Sequence, residues 1–207
     1  MAYANWLHPS KTQGSGNDTV NVSANADNTG RQARQTQMTF KAANVADVVR
    51  TVIQAGKPEY VSIQSAAAVS KNGQQVLTIE GMTNSSKLTF SLGGGATLVL
   101  TLPSTYNANS LITNNGAAIL GDPGAAQEFP FSIQFANIPK NGQITEKTAQ
   151  LIVTDAAGHT ATCTITQAAG DPVLEVSPAT VNLDWNAATE QTSASFAVTS
   201  NTNWTIE

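Results

Sequence analysis

The stretch "AQLIVTDAAGHTATCTIT" (Ala149–Thr166) decides the fold. On either side of "DAAGH" the residues alternate between apolar and polar, in "AQLIVT" (Ala149–Thr154) and "TATCTIT" (Thr160–Thr166). A period of two signals half-buried antiparallel strands, and the Gly-containing segment between them signals a turn. The same period recurs outward along the chain. "TVNVSANA" (Thr19–Ala26) aligns Val20, Val22, Ala24 and Ala26, and "QTQMTFKA" (Gln35–Ala42) aligns Thr36, Met38, Phe40 and Ala42. "KLTFSL" (Lys87–Leu92), "TLVLTL" (Thr97–Leu102) and "FPFSIQF" (Phe129–Phe135) follow the pattern. Between the runs lie turn formers: "NTG", "KNG", "LGGG", "NNG", "GDPG" and "PKNG". Many short strands punctuated in this way predict an all-β sandwich.

One segment competes. "NVADVVRTVI" (Asn44–Ile53) has apolar residues at helical spacing, with Asn44 as a potential cap. Its β-branched residues fit a strand better than a helix. It is therefore expected to form a hairpin with "MTFKAA".

Composition excludes several classes. Hydrophobic residues make up 41% of the 207 and charged residues only 12%, with a net charge of −4. Polarity comes from Ser, Thr, Asn and Gln, so the low-hydrophobicity, high-charge signature of disorder is absent. Basic residues cluster no more densely than "RQAR" (Arg31–Arg34), which argues against nucleic acid as a partner. No apolar run approaches a membrane span and no signal peptide is visible, so no membrane association is expected. The single Cys163 cannot form an internal disulfide, and its alternating setting predicts a buried small hydrophobe.

Nothing in the sequence assembles a catalytic constellation, a metal site or a cofactor site. The carboxylates are scattered. His159 and Asp155 share a turn without a nucleophile, and "GDPG" (Gly121–Gly124) is a turn rather than a phosphate loop. "LGGGA" (Leu92–Ala96) reads as a hairpin turn. The sequons at Asn17, Asn21, Asn84 and Asn203 are discounted in so Asn- and Thr-rich a chain without an export signal. Trp6, Trp185 and Trp204 could form a sugar platform, but Trp185 ends an alternating run as a core Trp does.

A repeat emerges. "TVIQAGKPEYVSI" (Thr51–Ile63) and "TITQAAGDPVLEV" (Thr164–Val176) share one plan, a strand ending in Gln, then Ala, Gly and Pro before a new strand. "VLTIEGMTNSSKLTF" (Val76–Phe90) corresponds to "SFAVTSNTNWTIE" (Ser195–Glu207). These marks divide the chain into 1–57, 58–171 and 172–207. The Asn-, Gly- and Ala-rich run 104–128 is expected as a long loop or excursion from the middle part.

The outer pieces carry a family resemblance. "NWLHPSKTQGSGNDTVNVSANADNTGRQARQTQMTF" (Asn5–Phe40) and "VVRTVIQAG" (Val48–Gly56) resemble the second half of a BACON domain, an Ig-like sandwich of gut Bacteroidetes proteins and their phages. "VLEVSPATVNLDWNAATEQTSASFAVTSNTNWTIE" (Val173–Glu207) resembles its first half. The usual "VSP" after a Trp is replaced by "LHPS" (Leu7–Ser10), and the middle part matches more loosely. The resemblance implies tandem Ig-like/BACON β-sandwiches with incomplete half-domains at both chain ends, 1–57 and 172–207, flanking a complete sandwich at 58–171.

Neither half closes a core alone. The halves could meet within one molecule, or pair between molecules. Alternatively, the chain could continue beyond Glu207. The seam residues Asn5, Trp6, Leu7, Trp204, Thr205 and Ile206 are the candidate interface. The expectation is a non-enzymatic structural protein of a bacteriophage virion: head decoration, head fibre or tail-associated. It would be made in the host cytoplasm and released by lysis. Its expected partners are other virion proteins and further copies of itself, with weak glycan adhesion in addition. The alternative is a bacterial surface module that binds carbohydrate or mucin.

Overall fold

A computed structural model describes residues 3–183 and 194–207. The chain is all-β. Its strands are β1 (Leu7–Pro9), β2 (Val22–Ala24), β3 (Arg34–Phe40), β4 (Val48–Gln54), β5 (Val61–Ile63), β6 (Ala66–Val69), β7 (Gln74–Thr83) and β8 (Leu88–Leu92). There follow β9 (Thr105–Ala108), β10 (Leu111–Asn114), β11 (Phe129–Ile138), β12 (Lys147–Asp155), β13 (Thr160–Gln167), β14 (Leu174–Ser177) and β15 (Ala197–Ser200).

The centre is a two-sheet sandwich. One sheet has the order β10-β9-β11-β7-β5, and the other has β6-β13-β12-β8. The alternation read from the sequence sets the register: Phe129, Phe131, Ile133 and Phe135 all point inward and are buried. They meet Leu88, Phe90, Leu151, Val153, Cys163 and Ile165 from the facing sheet. Each such side chain contributes roughly 1.5–3 kcal/mol by leaving water. The β12–β13 hairpin forms as expected, with Leu151 opposite Cys163. Its turn is closed by the Asp155 N–H donating to the His159 carbonyl.

The segment with two readings is a strand. β4 pairs with β3 in antiparallel fashion, Val49 opposite Thr39, and Asn44 turns the connection in the left-handed region at φ 61. Asn tolerates that conformation better than most residues.

Two expectations change. The run 104–128 is not a loop lacking core residues. It contributes β9 and β10 to the larger sheet and buries Tyr106, Ala108 and Ile119. Asn and Gly dominate its turns, and those few apolar positions suffice to anchor it. Conversely, Thr97–Leu102 forms no strand. Leu98 is buried and Val99 is 82% exposed, so the alternation persists without a ladder. Both the Thr97 and Leu98 N–H groups donate to the single Thr148 carbonyl. "LGGGA" is accordingly not the turn of a hairpin.

The outer segments form small sheets: β1–β2 and β3–β4 before the sandwich, and β14–β15 after it. Each is fastened to one end of the sandwich, and the two joints use the same hydrogen bonds. In the first, Asn28 Nδ2 donates to the Gln32 and Ala55 carbonyls at 2.7 and 3.1 Å. In the second, Asn141 Nδ2 donates to the Thr145 and Ala168 carbonyls at 2.8 and 3.0 Å. The Lys57 N–H donates to Gly30, and the Gly170 N–H donates to Gln143. The Tyr60 N–H donates to Asn84 Oδ1 at 2.9 Å, and the Val173 N–H to Asn201 Oδ1 at 2.8 Å. Asn84 Nδ2 reaches the Thr29 and Pro58 carbonyls, and Asn201 Nδ2 reaches Gly142 and Asp171. The Thr83 hydroxyl donates to Tyr60, and the Ser200 hydroxyl to Val173. The two "Gln-Ala…Gly-x-Pro" stretches thus mark two copies of one joint.

Candidate interaction surfaces

The first joint lies at the Thr83 end of β7. The Arg31 guanidinium donates to the Asn84 carbonyl at 2.7 Å and also pairs with Asp122. Lys57 Nζ lies 2.8 Å from Glu128 Oε2, and the Tyr60 hydroxyl donates to the same oxygen at 2.7 Å. The Lys57 and Tyr60 hydrogen bonds hold the Glu128 carboxyl below its ordinary range. Lys57 is raised, chiefly by Glu128, and burial raises Tyr60. The backbones here approach closely: a Cβ on Gly124 would come within 2.0 Å of the Asn84 carbonyl. The second joint lies near Gln74, where Lys71 pairs with Asp171 at 2.6 Å. The ten-residue β7 between the joints spans about 30 Å, so the outer segments occupy opposite poles.

At the first pole, β1–β2 and β3–β4 enclose a small core of Trp6, Leu7 and Met38, with Arg34 stacked 4.9 Å from the centroid of the Trp6 ring. Beside it opens a cleft of about 520 Å³ where Pro9, Val20, Met38 and Phe40 face the polar loop of residues 11–18, Lys11 and Asp18 included. Phe40 and Val48 face each other across β3–β4 and remain 43% and 41% exposed. The face expected from "TVNVSANA" is likewise open, with Val22 exposed on β2. At the second pole, the β14–β15 face presents Leu174 and Val176, both exposed, with Val198 opposite Val176.

A third surface is the outer face of the larger sheet. Asn107, Ser132, Glu80 and Gln64 cross neighbouring strands as a polar row beneath a groove of about 740 Å³.

Of the seam residues expected at an interface, the structure encloses Trp6 and Leu7 within the chain, because they form that first small core. Asn5 is exposed, as are Trp204, Thr205 and Ile206 at the other pole. The two sets are not brought together. Trp185 lies outside the described residues. Cys163 is buried, and burial pushes its thiol up. Among the described residues, no group of three or more His, Cys, Asp or Glu is placed to hold a metal ion. The joint residues Asn28, Asn84, Asn141 and Asn201 were not singled out as a set from the sequence. For Asn28 and Asn141 the constant distance to Gln54 and Gln167 was the available signal; Asn84 and Asn201 do not stand at one distance from those Gln residues.

Residues 1–55 match the family model BACON, described as "Putative binding domain, N-terminal". The resemblance seen in the N-terminal segment is therefore shown. No curated protein matches the chain. Among solved structures, the chain is similar to one titled "cadmium bound structure of SporoSAG", at 9% identity and a TM-score of 0.21. That similarity covers 79% of this chain and 71% of the other.

Proposed function

We propose that this protein is a non-enzymatic structural component of a bacteriophage virion, in head decoration, a head fibre or the tail. In this reading it assembles through strand edges and apolar faces and touches capsid or fibre subunits at its poles. One observation carries the reading: two copies of one joint hold an incompletely covered apolar sheet at each end of a sandwich. Exposed apolar patches of this kind mark interaction sites. The BACON match over residues 1–55 supports a binding role. Mass spectrometry of density-purified particles from a phage encoding this chain tests the location. The protein is expected at a copy number fixed per particle, with immunogold label on head or tail. Particles that lack it would end the virion reading.

A second reading is favoured by the polar row Asn107–Ser132–Glu80–Gln64, whose amide, hydroxyl and carboxylate groups suit sugar hydroxyls. Here the protein would be a surface module that adheres to carbohydrate or mucin. A mucin-glycan array probed with the wild-type chain and with Glu80→Ala separates the two. Binding lost in the variant, together with absence from particles, favours this second reading.

A further inference from the structure

We propose that copies of this chain join head to tail, the β14–β15 face of one copy filling the cleft beside β3–β4 of the next. This rests on the reading of the poles as assembly surfaces and names their occupant.

The repeated joint supplies a ruler. Counted from it, β3–β4 corresponds to β12–β13: the pairs Arg34–Gln54 and Lys147–Gln167 occupy the same register. Likewise β14–β15 corresponds to β5–β7, through the pairs Leu174–Ser200 and Val61–Thr83. In the central sandwich both hairpins are present and share one core. The positions equivalent to Met38, Phe40 and Val52 are Leu151, Val153 and Ile165, each 0% exposed. In the N-terminal segment the described residues hold no counterpart of β5–β7, and Phe40 stays 43% exposed. A hairpin of that kind is what the C-terminal segment carries. Leu174 and Val176 stand where Val61 and Ile63 pack against the central core.

Charge matches the same pairing. Residues 1–57 contain Lys11, Arg31, Arg34, Lys41, Arg50 and Lys57 against Asp18, Asp27 and Asp47. Residues 172–207 contain Glu175, Asp184, Glu190 and Glu207 and no Lys or Arg. Among the described residues Lys11, Arg31, Lys41 and Lys57 are paired with Asp18, Asp122, Asp47 and Glu128. Arg34 and Arg50 are therefore the cations left to meet the acidic segment, a modest complementarity that favours head-to-tail over like-with-like encounter. The two poles lie about 30 Å apart along β7, so one chain does not fill its own cleft. The contact is therefore heterologous and builds an open filament or a ring.

Two variants at exposed positions test it. Phe40→Asp blocks the cleft but keeps the donor face, and Val176→Asp blocks the donor face but keeps the cleft. By native mass spectrometry and sedimentation, the wild-type chain is expected to give a concentration-dependent ladder that shortens as salt rises. Each variant alone is expected to be monomeric with an unchanged circular dichroism spectrum. Mixed in equal amounts, they should form a heterodimer and nothing larger. A wild-type chain that stays monomeric through the high-micromolar range overturns the proposal, as does a folded mixture with no heterodimer or a ladder that survives either variant. A ladder without incorporation into particles would sink only the virion reading. Incorporation of a strictly monomeric chain would sink only the head-to-tail contact.

Discussion

Asn84 and Asn201 hold the same place in two joints at opposite ends of the central sandwich. Each carboxamide accepts the N–H that opens the next strand, Tyr60 in one case and Val173 in the other. Each donates back to the chain around the preceding Gly-x-Pro turn, at Pro58 and at Asp171. One side chain thus satisfies both a backbone donor and backbone acceptors where no ladder runs, as the chain crosses between sheets.

Replacing Asn84 with Ala is expected to lower stability by about 1–3 kcal/mol, because the Tyr60 N–H and the Pro58 carbonyl lose a buried partner. Asn201→Ala should cost less, since Asn201 is only half-buried and water can replace it. Urea denaturation of the two variants beside wild type checks the order.

Gly124→Ala should loosen the first joint without touching the sandwich core. The added Cβ meets the Asn84 carbonyl at 2.0 Å and must push the Pro123–Ala125 turn away. That turn accepts the Arg31 N–H at Gly124. Hydrogen exchange is expected to rise at Arg31 and Gln32 while Ile133 and Leu151 stay protected.

The joint is also acid-sensitive. Glu128 is held below its ordinary range by Lys57 and then Tyr60, so its contribution is complete above the ordinary carboxylate pKa. It is lost as pH falls through the lowered folded value. Lys57 is raised, so its contribution is present below its ordinary pKa and lost only in strong alkali. Both groups are partly exposed, which limits the pair to about 1 kcal/mol or less. Thermal midpoints of wild type and Glu128→Gln should differ at neutral pH and converge in acid, as pH falls through the lowered folded value of Glu128, below the ordinary carboxylate range. A gap that persists in acid would contradict the assignment.

Cys163 should resist alkylation in the folded chain. It is 0% exposed, and burial disfavours its thiolate. Iodoacetamide is expected to label it only once denaturant unfolds the sandwich, which makes the labelling rate a readout of core opening.

The legible parts of the fold were those governed by local period. The alternation of Phe129, Phe131, Ile133 and Phe135 sets one face because successive strand residues point to opposite sides. Thr97–Leu102 has the same alternation and forms no strand. Period states which side chains turn inward, not whether a neighbour lies within ladder distance. The run 104–128 failed in the opposite direction. Its composition is that of a loop, yet Tyr106 and Ala108 need only β11 beside them to become core. The seam at Trp6 and Leu7 was legible as apolar. That these two residues are enclosed while Phe40 is not depends on which strand lies opposite.

From the sequence alone came the all-β class, the inward faces, the turns and the repeated Gln-Ala…Gly-x-Pro marks, because each depends on residues close together in the chain. Tertiary structure alone decided that those marks are one joint built twice. It also decided that the joints stand at opposite poles and that an apolar face is left open at each. Those relations arise from pairing between residues far apart in sequence. Asn84 reaching back to Thr29, and Asn201 to Gly142, depend on backbones that only the folded chain brings within hydrogen-bond distance.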